Sequence, residues 1–113
     1  MTSREEKKLL LDIINSINSI DDHLEKERNL NVYLLNKTKR RAVEREIEII
    51  GEAMSKLLKL NPNITISYAR VIVNLRNRVI HSYDSVDDLL IWKVIMKDLP
   101  ILLEEANKLL NEN

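Results

Sequence analysis

The stretch SREEKKLLLDIINSINSIDDHL, residues 3–24, decides the fold class. Ser3 followed by Glu6 is the capping-box pattern that opens a helix, because a serine hydroxyl accepts the third amide while the glutamate reaches back. Leu10, Ile13, Ile14, Ile17 and Ile20 then recur at helical spacing, through His23 and Leu24, so one stripe is apolar and the rest polar. This predicts a first helix running to about Lys26.

The same period continues beyond a polar break around Arg28 to Asn31. Val32, Leu35, Ala42, Ile47, Ile50, Ala53, Met54 and Leu57 mark a second long helix ending near Leu60, where Asn61-Pro62-Asn63 stops it. Two helices of roughly 25 residues are each about 40 Å long and suit an antiparallel pair forming the spine of a bundle. Gly51 costs the second helix up to about 1 kcal/mol against alanine, which points to close approach of a neighbouring helix. Ser67 is placed to cap a third helix whose apolar face is Val71, Ile72, Leu75 and Val79. Ser85-Val86-Asp87-Asp88 then caps a fourth, which buries Leu89, Leu90, Trp92, Val94 and Ile95. Pro100 marks a kink or a fresh helix, and residues 101–110 finish the bundle.

Composition agrees. Of 113 residues 44% are hydrophobic and 32% charged, and a single glycine and two prolines leave too little turn material for a sheet. The expectation is one all-α domain over residues 1–113, an up-and-down bundle of four to five helices. Without cysteine there is no disulfide and no Cys-based zinc site, and no metal-spaced histidine set is present. No apolar run approaches the roughly 20 residues that span a bilayer, and the charged start Met1-Thr2-Ser3-Arg4-Glu5-Glu6 is unlike a secretory segment. A soluble, cytoplasmic protein without membrane contact is expected. Eighteen basic residues balance eighteen acidic ones, so any nucleic-acid site must be local.

One cluster reads as chemical: Arg76-Asn77-Arg78-Val79-Ile80-His81-Ser82-Tyr83. It sets a guanidinium that grips phosphate, an imidazole that moves protons near neutral pH and a modifiable phenol within one short string. RNA brings its own 2′-hydroxyl nucleophile, so its cleavage needs a base, an acid and positive charge on the phosphorane, but no metal or other cofactor. On an uninterrupted helix Arg76 and His81 stand about 140° and about 7.5 Å apart. Two arrangements bring both to one phosphate: the helix unwinds before His81, or a symmetric dimer completes the pair and supplies a second His81. Asn77, four before His81, is placed to orient the imidazole. The structural alternative pairs Arg76 with an acidic neighbour such as Glu52 or Asp84 and leaves His81 and Tyr83 to close a helix end. Tyr33 and Tyr68 are assigned to packing, and His23 carries no expected function.

The string Leu75-Arg76-Asn77-Arg78-Val79-Ile80-His81-Ser82-Tyr83-Asp84 resembles the signature of HepT-like toxins in the HEPN superfamily. The segment from Ala42 to Ala53, with its Gly51-Glu52-Ala53, resembles that family's second helix, and Ile91-Trp92 with Asp98-Leu99-Pro100 its C-terminal helices. The resemblance implies a homodimeric, metal-independent endoribonuclease acting on tRNA or mRNA, the toxin of a type VII bacterial or archaeal toxin–antitoxin pair. Carried onto this chain, it makes Arg76 and His81 catalytic and Asn77 a supporting residue. It makes Tyr83 the site where a MntA-type nucleotidyltransferase antitoxin transfers AMP. A rival reading on the same fold is a non-catalytic HEPN adaptor dimer that binds a nucleotidyltransferase or nucleotide.

Overall fold

A computed structural model of the chain describes residues 3–81 and 87–112, and it is built from helices alone. Helix α1 spans Arg4–His23, α2 Leu30–Leu35, α3 Lys37–Leu60, α4 Ala69–His81, α5 Asp88–Lys93 and α6 Leu99–Asn111, with a π-helical stretch Val94–Asp98 between the last two. The all-α bundle expected from the hydrophobic period is the observed fold. No described helix is long and apolar enough to cross a membrane.

The serine half of the capping box opens α1, Ser3 Oγ accepting from the Glu6 amide at 3.1 Å, while the Glu6 carboxylate accepts from Asn61 Nδ2 at 3.4 Å. The helix stops three residues short of Lys26, because Glu25 and Lys26 both turn left-handed, at φ 56° and 60°. Their amides return to the carbonyls of Asp22 and Asp21, so the turn is paid in backbone hydrogen bonds rather than by a glycine. The single second helix of the sequence reading is two. Asn36 ends α2 and caps α3 in an extended conformation, its Oδ1 accepting from the Lys39 amide at 3.0 Å. A side chain that satisfies an orphan amide breaks the helix without glycine or proline.

Ser67 is not the cap expected for α4. Its amide and hydroxyl both donate to the Glu105 carboxylate, at 3.0 Å each to the nearer oxygens, and tie the entry of α4 to α6. Tyr68 then crosses into the left-handed region at φ 64° before Ala69 begins the helix. Ser85 and Val86, expected in the cap of the fourth helix, lie outside the described residues; Asp87 is the observed cap, accepting from the Leu90 amide at 3.0 Å. Pro100 sits at the start of α6, but the break read from it is a widened turn rather than an interruption. Its ring cannot share space with the carbonyl four residues back, and the preceding turn widens to a π-helix in which the Leu99 amide bonds Val94 O, so α5 and α6 run on as one rod.

Helix α3 is the hub, packing α1 on one side and α4 on the other, while α6 covers α1. Leu10, Ile13, Ile20, Ile47, Ile50, Met54, Leu57, Ile72, Ile91 and Leu102 are sealed from solvent, each fully buried aliphatic side chain contributing about 1.5–3 kcal/mol. His23 Nε2 meets Glu46 Oε2 at 2.8 Å and pins the end of α1 to α3, a structural role. Tyr33 is buried with its ring 5.2 Å from that of Trp92, which joins α2 to α5. Replacing Asn36 with alanine removes the cap of the hub helix and is expected to cost about 1 kcal/mol in urea unfolding, or about 4 °C in melting temperature. An Asn36→Asp chain should unfold close to the parent.

Candidate active site

Helix α4 carries the chemical string, and its place is set by the one glycine in the chain. Gly51 on α3 faces Arg76, and a Cβ built on Gly51 would lie 2.3 Å from Arg76 Cβ and 2.7 Å from its Cγ. Real carbons do not approach so closely, so α4 rests where it does because position 51 has no side chain. The close approach expected at Gly51 is present, and the partner it admits is the arginine of the site. Arg76 is half-buried and its aliphatic stem lies across the α3 backbone.

The guanidinium at the end of that stem is under-partnered. Arg76 Nη1 donates to Asn77 Oδ1 at 3.0 Å. Its Nε is buried and has no hydrogen-bond partner among the described residues. No described carboxylate pairs with Arg76; of the two partners weighed for it, Glu52 sits 3.5 Å from Lys56 Nζ instead and Asp84 lies outside the described residues. A buried donor left without an acceptor costs about 1–3 kcal/mol, and more when charged, so an anion brought to this point gains what the fold withholds.

Helix α4 stays helical through His81, its final residue. Unwinding before His81, one of the two arrangements considered, is therefore absent. The helical register sets Asn77 between the two positions. Asn77 lies about 100° round the helix from Arg76 and position 81 about 40° beyond that. By accepting from Arg76 Nη1, Asn77 draws the guanidinium away from the α3 contact toward the face that carries positions 77 and 81. Asn77 was expected to orient His81; the contact observed is with Arg76, a partner that i to i+4 spacing does not suggest. Tyr83 lies outside the described residues, as do Ser82, Asp84 and Ser85.

A second polar cluster gathers where α2, α3 and α5 meet. Arg40 Nε stands 3.7 Å from Asp88 Oδ2 and its Nη1 donates to Leu34 O. Tyr33 Oη and Asp88 Oδ1 are buried without a partner among the described residues. Burial, reinforced by Asp88 and Glu44, pushes the Tyr33 phenol far above its ordinary range and keeps it neutral. Burial likewise raises the Glu44 carboxyl, against the opposing pull of Arg41. These groups fasten α5 to the hub helix and share no residue with the α4 string.

The sequence model of the family described as "Ribonuclease HepT-like" matches residues 13–109. A protein of Methanocaldococcus jannaschii named "Putative RNase MJ1380" is 35% identical over 110 residues, covering 94% of this chain and 97% of its own. "Probable ribonuclease HepT" of Thermococcus cleftensis is 33% identical over 110 residues, covering 94% and 96% of the two chains. No solved structure gives a significant match.

Gly51→Ala tests the contact on which this geometry rests. Alanine gains up to about 1 kcal/mol of helix propensity, but forcing its methyl against a neighbouring Cβ costs about 1–3 kcal/mol. The variant should unfold at lower urea than the parent; equal or greater stability would show that α4 is not held at this distance.

Proposed function

The chain belongs to the ribonuclease HepT-like family of the HEPN superfamily, and from that premise we propose that it is a metal-independent endoribonuclease. In this reading it is the toxin of a type VII toxin–antitoxin pair and cuts tRNA or mRNA with Arg76 and His81. One observation carries the reading. A half-buried guanidinium without a carboxylate partner among the described residues stands on the helix that ends at His81.

The chemistry follows from the substrate. A base takes the proton of the 2′-hydroxyl, the 2′-oxygen attacks the adjacent phosphorus, and the bond to the 5′-oxygen breaks as an acid protonates that leaving group. The products are a 2′,3′-cyclic phosphate and a 5′-hydroxyl. Arg76 holds the non-bridging oxygens and meets the charge that builds on the phosphorane, which asks for donors already in place and not satisfied by the protein itself. Asn77 keeps Arg76 turned toward the reacting face. An imidazole is the side chain suited to serve as base or acid at neutral pH. One protomer supplies one His81, so a two-fold pair of chains that brings two copies to one cleft supplies both roles.

Control by a MntA-type nucleotidyltransferase acts through Tyr83. An AMP joined to the phenol adds a phosphodiester anion and bulk two residues past His81, where both oppose an RNA backbone.

Incubated with tRNA and mRNA in chelator, the parent protein should cleave. Arg76→Ala and His81→Ala should each lose about 10²–10³-fold in rate while remaining folded by circular dichroism. Equal cleavage by all three would overturn the reading, and absence of cleavage by the parent would favour the adaptor dimer. Co-expressed with the antitoxin and ATP, the parent should gain the mass of one or more AMP units and Tyr83→Phe none. Undiminished addition in that variant would move the acceptor to Tyr68, which is exposed, whereas Tyr33 is buried.

A further inference from the structure

The α4 face that bears Asn77 and position 81 continues upstream through Asn74 and Arg70. The spacing of 70, 74, 77 and 81 is that of a single helical stripe, spread over about 60°, and Arg70, Asn74 and Asn77 are all exposed. Beside the stripe, between α4 and α3, lies a groove of about 290 Å³ lined by Ser55, Leu58, Lys59, Arg70, Val73 and Asn74. A second recess of about 380 Å³ shares Leu58 and Arg70 with it and is walled by Tyr68. Because α3 and α4 run antiparallel, the groove begins next to the Gly51–Arg76 contact and ends at Tyr68.

Helix stability does not account for what lines this groove. Arg70 sits in the first turn of α4, where the macrodipole is positive and a cation is disfavoured, and no acidic residue shares that turn. Neither Arg70 nor Lys59 makes an ion pair among the described residues. The nearby carboxylates are committed elsewhere, Glu105 to Ser67 and Glu52 to Lys56. Tyr68 adds a second oddity. The sequence assigns it to packing, yet it is 42% exposed and held left-handed at φ 64°, a conformation that costs a bulky residue energy. Two cations without an ion pair among the described residues, amide and hydroxyl groups between them, an apolar floor of Leu58 and Val73 and an open ring at one end match the chemistry of single-stranded nucleic acid.

We propose that this groove is the track for single-stranded RNA flanking the scissile phosphate, with Lys59 and Arg70 on backbone phosphates and Tyr68 stacking an unpaired base. The proposal rests on the ribonuclease reading and adds to it a binding site remote from the chemistry. Its selectivity is for unpaired strands over duplex, since a base must be free to stack. It reads no sequence, since only phosphate, ribose and ring faces are contacted.

The test uses the full chain and a labelled 2′-O-methyl oligonucleotide of about ten residues, which lacks the nucleophile, with binding followed by anisotropy across a salt series. Lys59→Ala/Arg70→Ala should reduce the slope of log affinity against log salt by about 1.4, two phosphates' worth on a single strand. Tyr68→Ala should weaken binding about tenfold at fixed salt, within the range for loss of one stacked base. On unmodified RNA these variants should raise KM and leave kcat in place, and they should cleave a dinucleotide as the parent does. Unchanged affinity and salt slope would overturn the track while leaving Arg76 and His81 untouched. A fall in kcat on the dinucleotide would overturn it too, by placing these residues in the chemistry. A change in molar mass by light scattering would make the groove a contact between copies instead. The ribonuclease reading itself fails separately, on undiminished cleavage by Arg76→Ala and His81→Ala.

Discussion

The missing side chain at Gly51 is the constraint from which the site follows. Two helices that carry ordinary residues at their crossing are held 8–10 Å apart by them. With nothing beyond the backbone on α3, α4 settles until the arginine stem itself becomes the contact. The consequence is electrostatic as much as steric. An arginine displayed on a free surface is hydrated, flexible and screened, whereas one whose stem is pinned against a helix has lost part of its hydration before any ligand arrives. Its buried Nε and the single bond from Nη1 to Asn77 record how little the described residues give back. Fixing a charge in this way costs folding energy, which the sealed core along α3 supplies.

That core was legible because burial writes a period into sequence. Leu10, Ile13, Ile17 and Ile20 on α1, with Ile47, Ile50, Met54 and Leu57 on α3, were readable as facing stripes, and all are buried. What escaped reading is the set of breaks made by side chains instead of by glycine or proline. Asn36 splits one apolar stripe into two helices because its amide oxygen serves the Lys39 amide, yet an asparagine inside a helical period carries no such signal by itself. Ser67 looked like a cap and is instead a ligand of Glu105, a contact across 38 positions that no local pattern encodes. Val71, read as core, is 42% exposed because it stands about 100° round α4 from Ile72, off the stripe that Ile72, Leu75 and Val79 bury.

The site shows the same division. Arg76 and Asn77 stood out by type and spacing, but only a folded α4 shows that they bond each other and that the helix persists to His81. Gly51 and Arg76 belong to one contact although 25 positions separate them, and the glycine alone, as the sole one in the chain, hinted at it. Tyr68 gave no hint. A tyrosine at the head of an apolar helical run reads as packing, and its left-handed backbone is something that sequence pattern does not report.

Charge balance gives these local arrangements their weight. With as many acidic as basic residues, the protein has no field that reaches past the Debye length of about 8 Å at physiological salt. On the proposed track an RNA strand would be held by groups within contact distance, a handful of guanidinium, ammonium and amide groups along one side of α4, and by stacking that salt does not screen. The proposed regulation at Tyr83 suits such a protein. In a strongly basic nuclease one added phosphodiester would be a small perturbation of a large potential. In the proposed site it would cancel a sizeable fraction of the positive charge offered to RNA, beside the residue proposed to move the proton. A neutral fold with a short-range site is in that reading one that a single covalent anion would silence.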